Sequence, residues 1–221
     1  MMGQTDRQAT NRGFTVVELL VALGLAAVVF GLIVSFFANM SRSTTAQNAA
    51  AAAQQTARAG VDFMAQELRL AGLDPLNSAG AGIEEISPAG IKIRFTSDRC
   101  NDSGTCENPV PDGKLDDSER VTYIYRTANR DIRRCVNETA ATFGLGASSG
   151  SCMPLLDQVE PNPGAVPLFT FLDGNGSPTT VRGDIRSVLI TLTVLEPAGR
   201  SKTVERTYSS RVRLRNIGLG G

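Results

Sequence analysis

The hydrophobic and polar positions divide this chain into three parts. Residues 14 to 38 form an apolar run interrupted by a single charge, Glu18. Residues 46 to 71 place small and apolar side chains at steps of three and four. After Pro75, short alternating runs are separated by Gly, Pro, Asn and Asp. This order predicts a long helix followed by a β-rich body.

The apolar run has the length of a membrane span. At about 1.5 Å per residue, a helix of this length crosses the ~30 Å hydrocarbon core of a bilayer. Arg7 and Arg12 precede the run, so the positive-inside rule places the N-terminus in the cytoplasm and the chain after Met40 across the membrane. The run is longer than the apolar core of a cleaved secretory signal, and its far end lacks an A-x-A site.

The same helix is predicted to continue beyond the membrane, because no proline interrupts the chain before Pro75. We expect it to run from Phe14 to about Ala71 and to stop at Gly72. Its first half should project, and its second half should lie against the body through a face of small and apolar residues. That face is Ala46, Ala49, Ala50, Ala53, Ala57, Val61, Met64, Leu68 and Ala71.

The β-rich body is predicted to be one antiparallel sheet covered by the Ala-rich face of the helix, which makes the fold class α+β. Two long loops, Ser97 to Ser118 and Asn137 to Gly164, are expected to lie outside the sheet. The candidate strands are Gly90 to Thr96, Arg120 to Arg126, Ile132 to Val136, Leu168 to Leu172, Ile185 to Leu195 and Val204 to Asn216.

The cysteines indicate disulfides in an oxidising compartment, since they are even in number and form no close C-x-x-C pair. They are Cys100, Cys106, Cys135 and Cys152. Three pairings are possible, and we favour Cys100 with Cys106 and Cys135 with Cys152. Each of these pairs brackets a polar loop that contains Gly and Ser, so the disulfides would tie the two long loops.

Composition disfavours an enzyme. The chain has no histidine, which excludes Ser-His-Asp and Cys-His hydrolysis and the H-E-x-x-H zinc site. The stretch Gly144 to Gly150 departs from the dinucleotide-binding G-x-G-x-x-G spacing. Two acidic stretches, Asp112 to Asp117 and Asp173 to Ser177, are interpreted as solvated turns, with calcium loops as the alternative. We therefore expect no cofactor and no metal.

Lys plus Arg and Asp plus Glu both number 22, so charge-driven binding must be local. Arg211, Arg213 and Arg215 alternate along one candidate strand, and a second group of arginines is Arg126, Arg130, Arg133 and Arg134. A solvated outer face is the favoured interpretation of both groups. DNA phosphate or an acidic partner subunit is the alternative.

The residues just before and within the apolar run, Arg12-Gly13-Phe14-Thr15-Val16-Val17-Glu18-Leu19-Leu20, closely resemble the signal of type IV pilins and type II secretion pseudopilins. This resemblance implies that a prepilin peptidase removes the leader 1–13 by cutting between Gly13 and Phe14, and that the new amine of Phe14 is N-methylated. Glu18 would then be the fifth residue of the mature chain.

We expect Glu18 to pair with the positive amine of Phe14, in its own subunit or in a filament neighbour, because an intramembrane carboxylate is costly. The alternative is that Glu18 lies at interfacial depth, where the dipole of the first helical turn favours negative charge.

The stretches Arg58 to Gly72 and Ser118 to Tyr125 resemble the PilW-type minor pilins. The resemblance implies the pilin fold: a filament-core helix (14–40), an amphipathic continuation (41–72) and a globular head (73–221). It also implies membrane lipid as the surroundings before assembly, and then other minor pilins, the major pilin and the inner-membrane assembly platform as partners in a priming complex at the filament tip.

Two other functions remain open from the sequence. The J-type minor pseudopilin of type II secretion shares the signal and the helix-plus-sheet plan. A signal-anchored extracytoplasmic enzyme or binding module would instead keep residues 1–13 and use the helix as a fixed anchor.

Overall fold

The computed structural model describes residues 14–100, 110–136, 152–199 and 202–217. These residues form one long helix, α1 (Val16–Leu68), and a body of antiparallel strands. The α+β class predicted from the hydrophobic pattern is therefore confirmed. The helix begins two residues after the predicted start and ends three residues before the predicted end.

The strands belong to two sheets. In chain order they are β1 (Ile83–Ile86), β2 (Lys92–Thr96), β3 (Arg120–Arg126), β4 (Asp131–Val136), β5 (Cys152–Leu156), β6 (Val159–Glu160), β7 (Phe169–Leu172), β8 (Ser187–Pro197) and β9 (Thr203–Arg213). The first sheet is a meander in which each strand from β1 to β5 pairs with the next. In the second sheet, β8 pairs with β9, and with both β6 and β7.

All six candidate strands are present, with ends that shift by no more than three residues. The prediction of a single sheet is wrong, because the strands divide between two. The prediction that residues 137–164 lie wholly outside a sheet is also wrong, since this range contains β5 and β6. The apolar run of β5 does not alternate and contains Pro154, which a strand accommodates at the edge of a sheet.

The chain divides into two compact units, Met1–Thr45 and Ala46–Gly221. In the second unit, α1 buries the small-residue face predicted from its periodicity. Ala46 and Ala50 of that face are half-buried. The buried helical residues are Ala49, Ala53, Ala57, Gly60, Val61, Met64, Ala65 and Leu68. The Ala-rich face is therefore the part of α1 that packs on the body.

The core of the second unit combines this helical face with apolar residues of both sheets, such as Ile93 of β2 and Ile190 of β8. The main chain also joins the sheets, because the Phe169 amide donates to the Gly90 carbonyl at 2.8 Å. Gly90 adopts a φ of +64°, and a Cβ there would collide with the Phe169 carbonyl oxygen. The two sheets therefore share one apolar core and are joined by main-chain hydrogen bonding.

Gly72, the predicted stop, ends the turn that follows the last residue of α1, Leu68. Its φ of +79° is the left-handed conformation that commonly ends helices, and its amide donates to the Thr96 carbonyl of β2 at 2.9 Å. The Asn216 side-chain amide caps the Arg69 carbonyl at 3.1 Å. The end of α1 is thereby tied to the first sheet and to the C-terminal segment.

Candidate functional site

The first half of α1 is the most unusual surface of the described chain. Every large apolar side chain from residue 14 to residue 40 is exposed, with exposed fractions between 45% and 78%. These residues are Phe14, Val16, Val17, Leu19, Leu20, Val21, Leu23, Leu25, Val28, Val29, Phe30, Leu32, Ile33, Val34, Phe36, Phe37 and Met40. Soluble proteins rarely leave so large a continuous apolar surface uncovered.

An apolar surface of this size is expected to be shielded from water by lipid or by other protein. Burying one Val, Leu, Ile or Phe side chain stabilises a protein by about 1.5–3 kcal/mol, so a helix of such residues left in water is strongly disfavoured. The most apolar 18-residue window has a mean hydropathy of 2.8, and none of it is buried. By length and composition, α1 is the one helix in the described ranges able to cross a membrane.

The start of α1 is defined by a local cap. The Glu18 amide donates to the Thr15 hydroxyl oxygen at 3.3 Å, and the Leu19 amide donates to the Thr15 carbonyl at 3.1 Å. Thr and Glu three residues apart also match the capping-box sequence, which marks helix starts. The capping role of Thr15 was not predicted, although the Thr15–Glu18 spacing is a signal for it in the sequence. Gly13, the predicted cleavage residue, lies outside the described residues.

Glu18 is the sole charged residue of the apolar run. Its side chain is exposed and has no hydrogen bond or ion pair to the described residues. In the first turn of a helix its negative charge is favoured by the helix dipole, but surrounding hydrocarbon would penalise it by about 2.5–3.5 kcal/mol. Glu18 is thus a carboxylate that needs a cation once the surface around it is covered. Phe14, whose amine is the predicted partner, begins the described chain and is 78% exposed.

A second cluster fixes the other half of α1 to the first sheet. The Arg134 guanidinium of β4 donates to both oxygens of Glu67 at 2.8–3.1 Å, and the buried Tyr123 hydroxyl of β3 donates to the same carboxylate. Burial and the adjacent Glu67 carboxylate raise the pKa of Tyr123. The hydrogen bond to Glu67 likewise raises the pKa of Arg134. The cluster sets the rotation of α1 on the sheet.

The Glu67 cluster was not predicted, but the sequence contains a signal for it. Glu67 lies in the last turn of α1, where the dipole disfavours an acidic residue, and that turn contains no basic residue. An acidic side chain in this position, next to the buried Leu68, indicates a cationic partner elsewhere in the fold.

The predicted Cys135–Cys152 disulfide is confirmed. The two residues lie opposite each other in the register of β4 and β5. Cys100 is buried and disulfide-bonded, while Cys106 lies outside the described residues, as does the predicted Cys100–Cys106 bridge. The Cys100 amide donates to the buried carboxylate of Glu119 at 2.8 Å. The same carboxylate accepts from the Asp116 amide at 3.0 Å and so joins the two segments that flank residues 101–109.

In the two acidic stretches considered as calcium loops, Asp112 and Asp173 accept hydrogen bonds from nearby backbone amides. Asp173 accepts from the amides of Asn175 and Ser177, both at 2.8 Å, through one oxygen. Asp112 accepts from the Lys114 amide at 2.9 Å. Across the described ranges, no group of three His, Cys, Asp or Glu side chains could hold a metal ion. The stretch Gly144 to Gly150 lies outside those ranges.

The two arginine groups differ in their partners. The group on β3, β4 and their connection is paired with carboxylates: Arg126 and Arg133 with Asp131, Arg130 with Glu160, and Arg134 with Glu67. The C-terminal group instead lines a groove of about 980 Å³ together with Arg186.

The described chain therefore contains the predicted helix, a single carboxylate, Glu18, in the apolar run of that helix, and a body that holds the second half of the helix through Glu67. No protein-family model, curated protein or solved structure matches the chain.

Proposed function

We propose that this protein is a type IV pilin-like filament subunit, cut after Gly13 by a prepilin peptidase and assembled through the exposed half of α1. The observation that carries the proposal is the continuous exposure of the large apolar side chains from residue 14 to residue 40, at a stretch whose sequence resembles the prepilin signal. Lipid covers this surface before assembly, and neighbouring subunits cover it in the filament.

Cleavage after Gly13 gives Glu18 the cation that the described chain does not supply. It creates an α-amine on Phe14, four residues before Glu18, which corresponds to about one helical turn. In hydrocarbon, an ammonium beside a carboxylate is far less costly than either charge alone. The amine of a neighbouring subunit can serve equally, and such pairing would fix the axial position of one helix against the next.

The body supports the same proposal. In a pilin fold, a long helix packs against an antiparallel sheet, and the buried small-residue face of α1 and the Glu67 cluster support this part of the proposal. The bidentate Arg134–Glu67 contact holds the second half of α1 to the body while the first half stays free for lipid or for other subunits.

Within this class we propose a minor pilin of a type IV pilus that belongs to the priming complex at the filament tip. Its partners are the major pilin, other minor pilins and the inner-membrane platform. The J-type minor pseudopilin of type II secretion is distinguished by the location of the processed chain. A minor pilin is recovered with sheared surface filaments, whereas a pseudopilin stays with the cell envelope.

The assembly role of Glu18 is tested with Glu18→Gln, which removes the charge and keeps the shape of the side chain. We expect the variant to be cut after Gly13 and to remain in the membrane. Its amount in sheared filaments should fall at least tenfold, because the Phe14 amine has lost its partner. The measurement is an immunoblot of membrane and filament fractions.

The matched control is Ser35→Ala, which removes only a 2.9 Å hydrogen bond to the Gly31 carbonyl within the same helix. It should assemble like the wild type. Wild-type recovery of Glu18→Gln in filaments would refute the pairing role of Glu18.

A further inference from the structure

Strand β9 forms an open edge of the second sheet. It pairs with β8 along its full length, from Thr203 to Arg213, and in the described chain no strand pairs with its other side. Eleven residues at about 3.4 Å each make an edge of roughly 37 Å. Long open edges are templates for a further strand, and natural proteins commonly cover or shorten them.

The register of β8 and β9 shows which main-chain groups point outward. The Leu214 amide donates to the backbone carbonyl of Arg186 at 2.9 Å, and the Ala198 amide donates to the backbone carbonyl of Lys202 at 2.7 Å. Because hydrogen-bonded positions alternate in an antiparallel pair, the even-numbered residues of β9 bond to β8 and the odd-numbered residues face the open edge. The outward N–H and C=O groups therefore belong to Thr203, Glu205, Thr207, Ser209, Arg211 and Arg213.

Arginines dominate one end of this edge. Arg211 and Arg213 line the C-terminal groove with Arg186 and Arg215, and in the described chain no carboxylate lies within ion-pair distance of these four guanidiniums. The acidic residue among the lining side chains is Asp173, and one of its oxygens is held by its own turn. The arginines on β2, β3 and β4, in contrast, pair with carboxylates of the body.

Two of the groove arginines are held in place by uncharged oxygens. The Arg211 Nε donates to the Ser187 hydroxyl at 3.0 Å. Arg186 donates to the carbonyls of Gly183 and Ile185 at 2.6 and 3.0 Å. These hydrogen bonds orient the guanidiniums without neutralising them, which reduces the ordering cost of binding an anion.

We propose that the open edge of β9 and its arginines form a docking site for an extended acidic segment of a partner protein, which adds to the sheet as a further strand. Main-chain hydrogen bonds to the outward groups would provide affinity. Carboxylates opposite Arg211 and Arg213 would provide specificity, as cross-strand pairs of opposite charge. This site lies on the globular body and goes beyond the proposed function of α1.

Other occupants match the surface less well. A nucleic acid would use the guanidiniums but not the main-chain edge, and the groove is lined by Leu214 and Ile217 rather than by rings on which bases stack. A second copy of β9 would bring one carboxylate, Glu205, against its three arginines, so two such strands repel each other.

The charge component is tested by fluorescence anisotropy on the full chain in detergent micelles. The probes are a labelled peptide of alternating Val and Glu and its counterpart with Gln in place of Glu. We expect the Glu peptide to bind at least tenfold more tightly than the Gln peptide. The Arg211→Gln, Arg213→Gln double variant should lose this preference. Arg58→Gln is the matched control, because it removes the charge of an exposed arginine of α1 and leaves β9 unchanged, and it should bind like the wild type.

The strand component is tested separately from charge. Ser209→Pro removes an outward N–H without removing a bond to β8, and should weaken binding of the Glu peptide at least tenfold. A Glu peptide with N-methyl groups on alternate amides tests the same bonds on the unchanged protein and should be weakened equally. The proposal is overturned if the N-methylated peptide binds like its parent. It is also overturned if the wild type does not bind the Glu peptide, or binds a single-stranded oligonucleotide of equal charge more tightly.

Discussion

Glu67 illustrates how one residue connects the helix to the sheet. Its carboxylate lies where the dipole of α1 opposes it, yet it accepts hydrogen bonds from Arg134 and Tyr123. The unfavourable local position is offset by charge-assisted contacts between elements that are distant in the sequence. Such a residue contributes little to the isolated helix and much to the packed body.

Replacing Glu67 by Ala should therefore lower the free energy of unfolding of the body by about 2 kcal/mol, because hydrogen bonds to charged groups are worth about 1.5–3 kcal/mol each and Arg134 retains partial access to solvent. Urea unfolding of the full chain in detergent measures this change. Asp62→Ala is the control, since its pair with Arg58 is exposed and should be worth less than about 0.5 kcal/mol. Equal effects of the two substitutions would contradict this role of Glu67.

The ionised carboxylate of Asp131 should make the stability of the body depend on pH. Hydrogen bonds from Arg126 hold the pKa of this carboxyl below its usual value. A group with a lowered folded pKa stabilises the fold fully above its unfolded pKa of about 3.9 and loses this contribution as the pH falls through the folded value. We expect Asp131→Asn to be less stable than the wild type at pH 7, with the difference shrinking below about pH 4.

The measurement is the urea midpoint of both proteins between pH 7 and pH 2.5. Asp62→Asn, which affects an exposed pair, should show little difference at any pH. A difference between Asp131→Asn and the wild type that persists unchanged at pH 2.5 would show that the carboxylate does not act through its charge.

At the scale of elements, the disulfide determines how β5 joins the first sheet. Strand β5 is short, contains Pro154 and follows residues 137–151 in the chain, so its pairing with β4 has little local support. The Cys135–Cys152 bond crosses the two strands at paired positions. It compensates for weak strand propensity by restricting the unfolded chain.

The double variant Cys135→Ser, Cys152→Ser should thus lose about 3 kcal/mol of stability, the value expected for closing a loop of this length, with a sequence separation of 17. Chemical denaturation compares the variant with the wild type under oxidising conditions. Addition of a reductant should destabilise the wild type by more than the variant, in which the disulfide of Cys100 is the one left to reduce. A variant as stable as the oxidised wild type would show that β5 is held by its other contacts.

Some elements of the fold could be predicted from local patterns in the sequence, and others could not. The period of the second half of α1 and the alternation in β9 reflect burial on one face, which is a local property. Strand β2 is buried along its whole length, so its pattern does not reflect a single buried face. The division into two sheets is not local, because it depends on which strands pair with each other across the fold. Strands β5 and β6 show no alternation that would predict them. Strand β5 contains a disulfide-bonded cysteine and a proline, and β6 is only two residues long.

For the whole molecule, the candidate site was predictable in position but not in all of its parts. The apolar run and Glu18 can be read directly, because hydrocarbon selects composition along a continuous stretch. The Glu67 cluster and the open edge of β9 cannot, because each depends on which strands the fold brings together. Periodicity also cannot indicate whether an arginine finds a carboxylate, as Arg126 does, or faces a groove, as Arg213 does.

The N-terminus of the mature chain decides most directly whether the exposed half of α1 is a filament-assembly helix. The measurement is the intact mass and N-terminal sequence of the chain from membranes, in cells with and without an active prepilin peptidase. Filament assembly predicts a chain that begins at N-methylated Phe14 when the peptidase is present and keeps residues 1–13 when it is absent. A chain that keeps residues 1–13 in the presence of active peptidase would contradict the account and make α1 a fixed anchor for an extracytoplasmic protein.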